Sequence, residues 1–187
     1  MYIRFVLDPF VPHGTNKVIR RVVRDLRKIF TDVTYSVESN EDLSILSERE
    51  TVPTSVIFQR KVHMFCKGFT FYIVNANLTW RRKRVFGLSL PDRCVIGVKD
   101  IPRNNSMKWS AKVWDLILHE LGHSMGLINK HRARLSISTN GTGHCLNNCV
   151  MSEDESDSIW TKRASSRYKR ESPYCEDCLK YLLAKDV

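Results

Sequence analysis

The chain has 187 residues, 30 Lys and Arg against 20 Asp and Glu, six Cys and 42% apolar residues, which suits one globular domain and excludes a disordered chain or a repeat array. No apolar stretch approaches the roughly 18 residues that cross a bilayer, and charge interrupts the opening segment too early for a signal-peptide core, so the expectation is a soluble, cytoplasmic protein. The net charge of +10 suits nucleic acid, an anionic membrane surface or an acidic substrate without choosing among them. Its runs, at 17–28, Arg81–Arg84, 130–134 and 167–170, read as solvated faces with no aromatic-interleaved RNA-binding pattern.

Tyr2 to Leu7 is an apolar run broken only by Arg4 and stopped at Asp8-Pro9, as a buried strand would be. Thr15 can cap a helix in which Val18, Val22, Leu26 and Ile29 recur at helical steps with Arg20, Arg24 and Arg27 outside, making an amphipathic cover for a sheet. Val33 to Val37 alternates like a second strand, 38–50 reads as a loop or a short helix, and Val56 to Phe65 fits helix or strand equally. Phe69–Val74, Val85–Leu90 and Cys94–Val98 are β-branched and aromatic enough for strands, with Trp80–Arg84 as a basic loop before the last two.

From Ser106 the period changes, and Trp109, Val113, Leu116, Ile117, Glu120 and His123 fall at helical steps after a cap at Ser106 or Ser110. Beyond Gly126 periodicity is lost, and a polar stretch leads to a short helix after Cys178. In 127–143, Leu135, Ile137 and Thr139 alternate with Ser136 and Ser138 ahead of Asn140-Gly141, the pattern of a small hairpin or flap over a cleft.

The chemistry lies at His119-Glu120-Leu121-Gly122-His123. Residues four apart on a helix point the same way, so both imidazoles reach one zinc while Glu120 stands beside the metal's open side. With a third ligand, such a site makes water acidic and lets the carboxylate take its proton, the signature of metal-assisted hydrolysis of peptides. Gly126, three residues after His123, sits where a helix that turns sharply needs positive φ. The metzincin position for the third ligand holds Asn129, which leaves His131 and His144 as candidates.

Four cysteines form two close pairs, Cys145 with Cys149 and Cys175 with Cys178. Their spacing suits a tetrahedral structural zinc that staples a small tail, with disulfides as the alternative. Cys66 and Cys94 sit among apolar residues and read as small buried hydrophobes.

This order of parts resembles the archaemetzincins, whose motif runs His-Glu-x-x-His-x-x-Gly-x-x-His-Cys, followed by Cys-x-Met and a final Cys-x-x-Cys. His119, Glu120, His123 and Gly126 fit its first half; His144-Cys145, Cys149-Val150-Met151 and Cys175-Glu176-Asp177-Cys178 fit the rest. The family pattern has two residues between the glycine and the third histidine, where this chain has 17, residues 127–143.

The resemblance implies two zinc ions per chain, a catalytic one on His119, His123 and His144 and a structural one on Cys145, Cys149, Cys175 and Cys178, with Met151 as the Met-turn. It further implies an α+β, zincin-like (metzincin-like) domain: a twisted mixed β-sheet with covering helices, the active-site helix, and a small zinc-stapled C-terminal part. The expected division is an N-terminal subdomain 1–126 and a C-terminal subdomain 127–187. The expected function is a zinc metallopeptidase acting on a peptide or protein, with Glu120 activating water. The alternatives are a DNA-associated protease similar to the Spartan type, or a non-catalytic zinc-stabilised binding module.

Overall fold

The computed structural model describes residues 1–59, 68–127, 135–137, 143–145, 147–152 and 156–184. A five-stranded sheet organises it, in the order β2-β1-β4-β8-β7. Here β1 is Tyr2–Leu7, β2 Thr34–Ser39, β4 Phe69–Val74, β7 Gly87–Ser89 and β8 Arg93–Gly97. β2, β1, β4 and β8 run parallel, and the edge strand β7 is antiparallel to β8 with Leu88 opposite Val95. Mostly parallel sheets are covered on both faces, and alternation along the strands shows it here. Ile3, Phe5, Phe71, Ile73, Cys94 and Ile96 join one core with two helices, while Val6, Tyr72, Val74 and Val95 join another with Leu43, Leu46 and Ile57. Arg4, the one charge in the β1 run, pairs with Glu38 of β2.

The first helix, α1 (Thr15–Leu26), buries Val18, Val22 and Leu26 on the sheet as its spacing predicts. Two details differ. Thr15 is not the cap; its hydroxyl donates to the Pro12 carbonyl at 2.6 Å from inside the first turn. Ile29 lies past the helix end and packs there against the core. The ambiguous stretch after β2 forms short pieces over the other face: a 3-10 turn at Glu41–Leu43, α2 (Ser44–Ser47), β3 (Val52–Pro53) and α3 (Thr54–Gln59). Residues 60–67, with Cys66, lie outside the described residues.

The basic segment expected to be a loop is instead a hairpin, β5 (Leu78–Trp80) with β6 (Lys83–Val85), which joins β3 in a small second sheet. The long helix α4 (Ser106–Ser124) packs on α1, β7 and β8. Its cap is neither Ser106 nor Ser110 but Asn105, whose side chain accepts from the Lys108 amide at 2.9 Å. α1 and α4 are pinned together by Asp25, buried between them, which accepts from Arg21 Nε at 2.7 Å and from Trp114 Nε1 at 3.1 Å.

After α4 the chain forms an antiparallel pair, β9 (Leu135–Ile137) with β10 (Gly143–Cys145), then α5 (Asp157–Arg167) and α6 (Glu176–Ala184). The expected hairpin in the insertion is therefore present, and its return strand carries His144. The turn expected at Asn140-Gly141, any cover over the cleft, and His131 fall outside the described residues. No described helix is long and apolar enough to cross a membrane.

Candidate metal centre and cleft

Helix α4 ends where Gly126 takes φ +79°. The Gly126 amide donates to the His123 carbonyl and the Leu127 amide to the Gly122 carbonyl, each at 2.9 Å. These are the two bonds of a Schellman turn, so Gly126 has the backbone role its position suggested, and the chain leaves the helix within a residue of the second histidine's turn.

One helical turn apart, His119 and His123 approach to 2.9 Å between their Nε2 atoms. From β10, His144 completes the group: one ring nitrogen from each of the three lies within 4.8 Å of the others. The His119 ring is fixed from behind, with Nδ1 2.6 Å from the Val150 carbonyl. A carbonyl only accepts, so Nδ1 carries the proton and Nε2 turns its lone pair toward the other two rings. Burial, and then the neighbouring imidazoles, hold His119 down at about 4 and His123 at about 2, so both rings are neutral at pH 7.

Glu120 faces the edge strand. Only 6% exposed, its carboxylate accepts a bond from the Ser89 hydroxyl of β7. Burial pushes its pKa up to about 7, and the Ser89 bond works against that rise. Behind it, Cys94 on β8 is fully buried, as expected of a small hydrophobe, and burial raises its thiol to about 12.

The four C-terminal thiols also come together. Cys145 Sγ lies 3.6 Å from Cys175 Sγ and Cys149 Sγ 4.0 Å from Cys178 Sγ, all within 4.8 Å and all free rather than bonded as disulfides. Hydrogen bonds with Cys149 and Cys178 bring Cys145 well below the usual thiol range, while those with Cys145 and Cys149 drive Cys178 up. A nest that already stabilises one thiolate is suited to a soft cation.

Met151 is buried, and its carbonyl accepts from the Cys145 amide at 2.9 Å. The turn that carries it is fastened by Arg167, which the charge pattern had placed on a solvated face but which is fully buried. Its guanidinium bonds Asp115 of α4 at 3.1 Å, Asn148 Oδ1 at 3.0 Å and the Ser152 hydroxyl at 2.5 Å. Trp160 Nε1 donates to the same Asp115 at 3.0 Å. No local pattern signals this Arg–Asp pair, because its members lie 52 residues apart.

Beside the histidines opens a cavity of about 670 Å³, walled by Trp80, Val85, Phe86, Leu88, Leu116 and Trp160, with His119, Glu120, His123 and His144 along it. Apolar walls with a few convergent polar groups are the usual form of a binding cleft.

No protein-family model and no curated protein sequence matches this chain. Two solved structures do. The archaemetzincin of Methanopyrus kandleri superposes with a TM-score of 0.71 at 18% identity, over 98% of this chain and 94% of that one. That of Archaeoglobus fulgidus, crystallised with malonate, gives 0.64 at 21% identity over 96% and 99%. The chain has the archaemetzincin fold.

Proposed function

We propose that the protein is a zinc-dependent metallopeptidase holding two zinc ions, one on His119, His123 and His144 and one on Cys145, Cys149, Cys175 and Cys178. The observation that carries this reading is the convergence of three ring nitrogens within 4.8 Å beside a buried glutamate. The donors fit the metal: neutral imidazoles for a catalytic site and four thiols for a closed structural one. Bound there, zinc supplies Lewis-acid chemistry, polarising a carbonyl and making water acidic.

The chain's own residues do the rest. Glu120 takes the proton of the attacking water and returns it to the leaving amine. Ser89 holds the carboxylate in place. The outer edge of β7, which no described strand pairs, offers its amides and carbonyls to an extended peptide, as strand addition requires. The apolar cavity beside it receives substrate side chains.

The test couples metal content to cleavage of a mixed peptide pool. Wild type should carry two zinc ions and cleave; Glu120→Gln should keep both ions and lose cleavage; His144→Ala should fall to one ion. A wild type that holds two ions and cleaves nothing would instead mark a zinc-stabilised binding module.

A further inference from the structure

We infer that the β5–β6 hairpin selects acidic residues on the C-terminal side of the peptide bond held beside β7, a reading that rests on the peptidase function proposed above. The hairpin turns through two residues, Arg81 and Arg82, between the paired Trp80 and Lys83. Their φ angles are +49° and +66°, and they are the only non-glycine residues with positive φ among those described. Two left-handed residues in a row form the tight turn that favours Asn-Gly. Arginine in both places carries backbone strain, the kind of local cost that accompanies a functional site.

Two of the hairpin's cations lie against aromatic walls of the cleft. The Arg81 guanidinium stacks 4.5 Å from the Trp80 ring, and Arg84 lies 5.9 Å from the Phe86 ring while pairing with Asp100. Trp80 and Phe86 both line the cavity that contains Glu120. The other carboxylates along that cavity are already engaged, Asp115 by Arg167 and Asp157 by Lys112. With Arg84 paired to Asp100, the excess positive charge of this hairpin is that of Arg81, Arg82 and Lys83.

Direction follows from the chain. The hairpin leads through Phe86 directly into the start of β7. An added strand pairs somewhat more stably antiparallel, which brings the C-terminal half of a peptide to the start of β7 and so to the arginines. A peptide is favoured over nucleic acid because the cations stand at one end of a strand edge whose continuation is an apolar cleft, rather than along a charged track.

The test measures binding of two fluorescent peptides to zinc-loaded Glu120→Gln protein, identical except that their C-terminal residues are Asp in one and Asn in the other. The acidic peptide should bind about tenfold more tightly, since two exposed charge contacts, to Arg81 and Arg82, are worth roughly 1.4 kcal/mol together. The ratio should shrink toward one at about 0.5 M salt, where screening is short-ranged. In the same background, Arg81→Asn with Arg82→Gly installs the preferred turn. That variant should unfold at the same or a higher temperature and lose the ratio, while Arg81→Glu with Arg82→Glu should favour a Lys-ended peptide.

A ratio near one in the starting protein, or one that survives the Asn-Gly turn, overturns the proposal. So does a single-stranded oligonucleotide that binds through the same arginines more tightly than the acidic peptide, which would make the hairpin a nucleic-acid surface. Cleavage is read separately on protein with Glu120 intact. A retained ratio without cleavage removes the peptidase reading and keeps acidic recognition, whereas cleavage with a ratio of one does the reverse.

Discussion

The Sδ of Met151 fills the space that a Cβ on Gly122 would need. Gly122 lies on α4 between the two histidines, and Met151 is bonded through its carbonyl to Cys145, the neighbour of His144. This contact sets the distance between the helix bearing two candidate ligands and the strand bearing the third. Gly122→Ala gains about 1 kcal/mol of helix propensity but overpacks a buried sulfur, at roughly 1–3 kcal/mol. Urea denaturation should show Gly122→Ala destabilising in the wild-type background and stabilising in a Met151→Ala background. Stabilisation in both would mean that the sulfur moves aside freely.

Arg167 joins α5, α4 and the Met151 turn through one buried guanidinium. Arg167→Met leaves the Asp115 carboxylate buried beside Trp160 without its cation, which costs about 3–5 kcal/mol. Pairing it with Asp115→Asn should recover a large part of that loss, because the uncompensated charge is gone. The check is a double-mutant cycle from denaturation midpoints; additive losses would show that the two side chains do not act as a pair.

What the sequence made legible was what repeats or has fixed spacing. α1 follows from apolar periodicity, β1 and β4 from apolar and β-branched runs, and the Gly126 turn and the two cysteine pairs from spacing. Helix α5 was not legible because it has no apolar stripe: its buried positions are Ala164 and Arg167, and the partner that makes Arg167 acceptable inside is on α4. The β5–β6 turn was hidden for a related reason, since Arg81-Arg82 lacks the Asn or Gly that marks such a turn. The choice of His144 over His131 came only through the family resemblance, because 17 residues separate it from Gly126 and no local rule spans that gap.

The metal-free protein should show opposed pH effects. His119 and His123 titrate in the fold at about 4 and 2, below their ordinary 6.5, so their contribution is full above about 6.5 and is lost as pH falls toward those values. Glu120 is raised to about 7, so its contribution is full below about 4.5 and is lost as pH rises through 7. In wild type the two trends offset each other between about pH 7 and 4.5. Glu120→Gln removes one of them, so after chelation it should be more stable than wild type at pH 8 and should lose that advantage by pH 4.5. Parallel denaturation curves for the two proteins at both pH values would show that Glu120 is not the opposing group.

The two candidate metal sites should depend on each other in one direction. Cys145 is adjacent to His144, and its amide holds the Met151 carbonyl at 2.9 Å; Cys149 and Cys178 are fully buried in the same cluster. Removing a thiolate from a four-cysteine site weakens the metal and, with it, the folding energy that the metal supplies. Cys149→Ser should therefore lower zinc by more than one ion per chain, because the strand carrying His144 loses its anchor. His144→Ala touches only the histidine group and should lower zinc by one while the cysteine site keeps its ion. Elemental analysis after dialysis against a weak chelator measures both, and a Cys149→Ser protein that retains a full ion on its histidines would show that the cysteine cluster does not position His144.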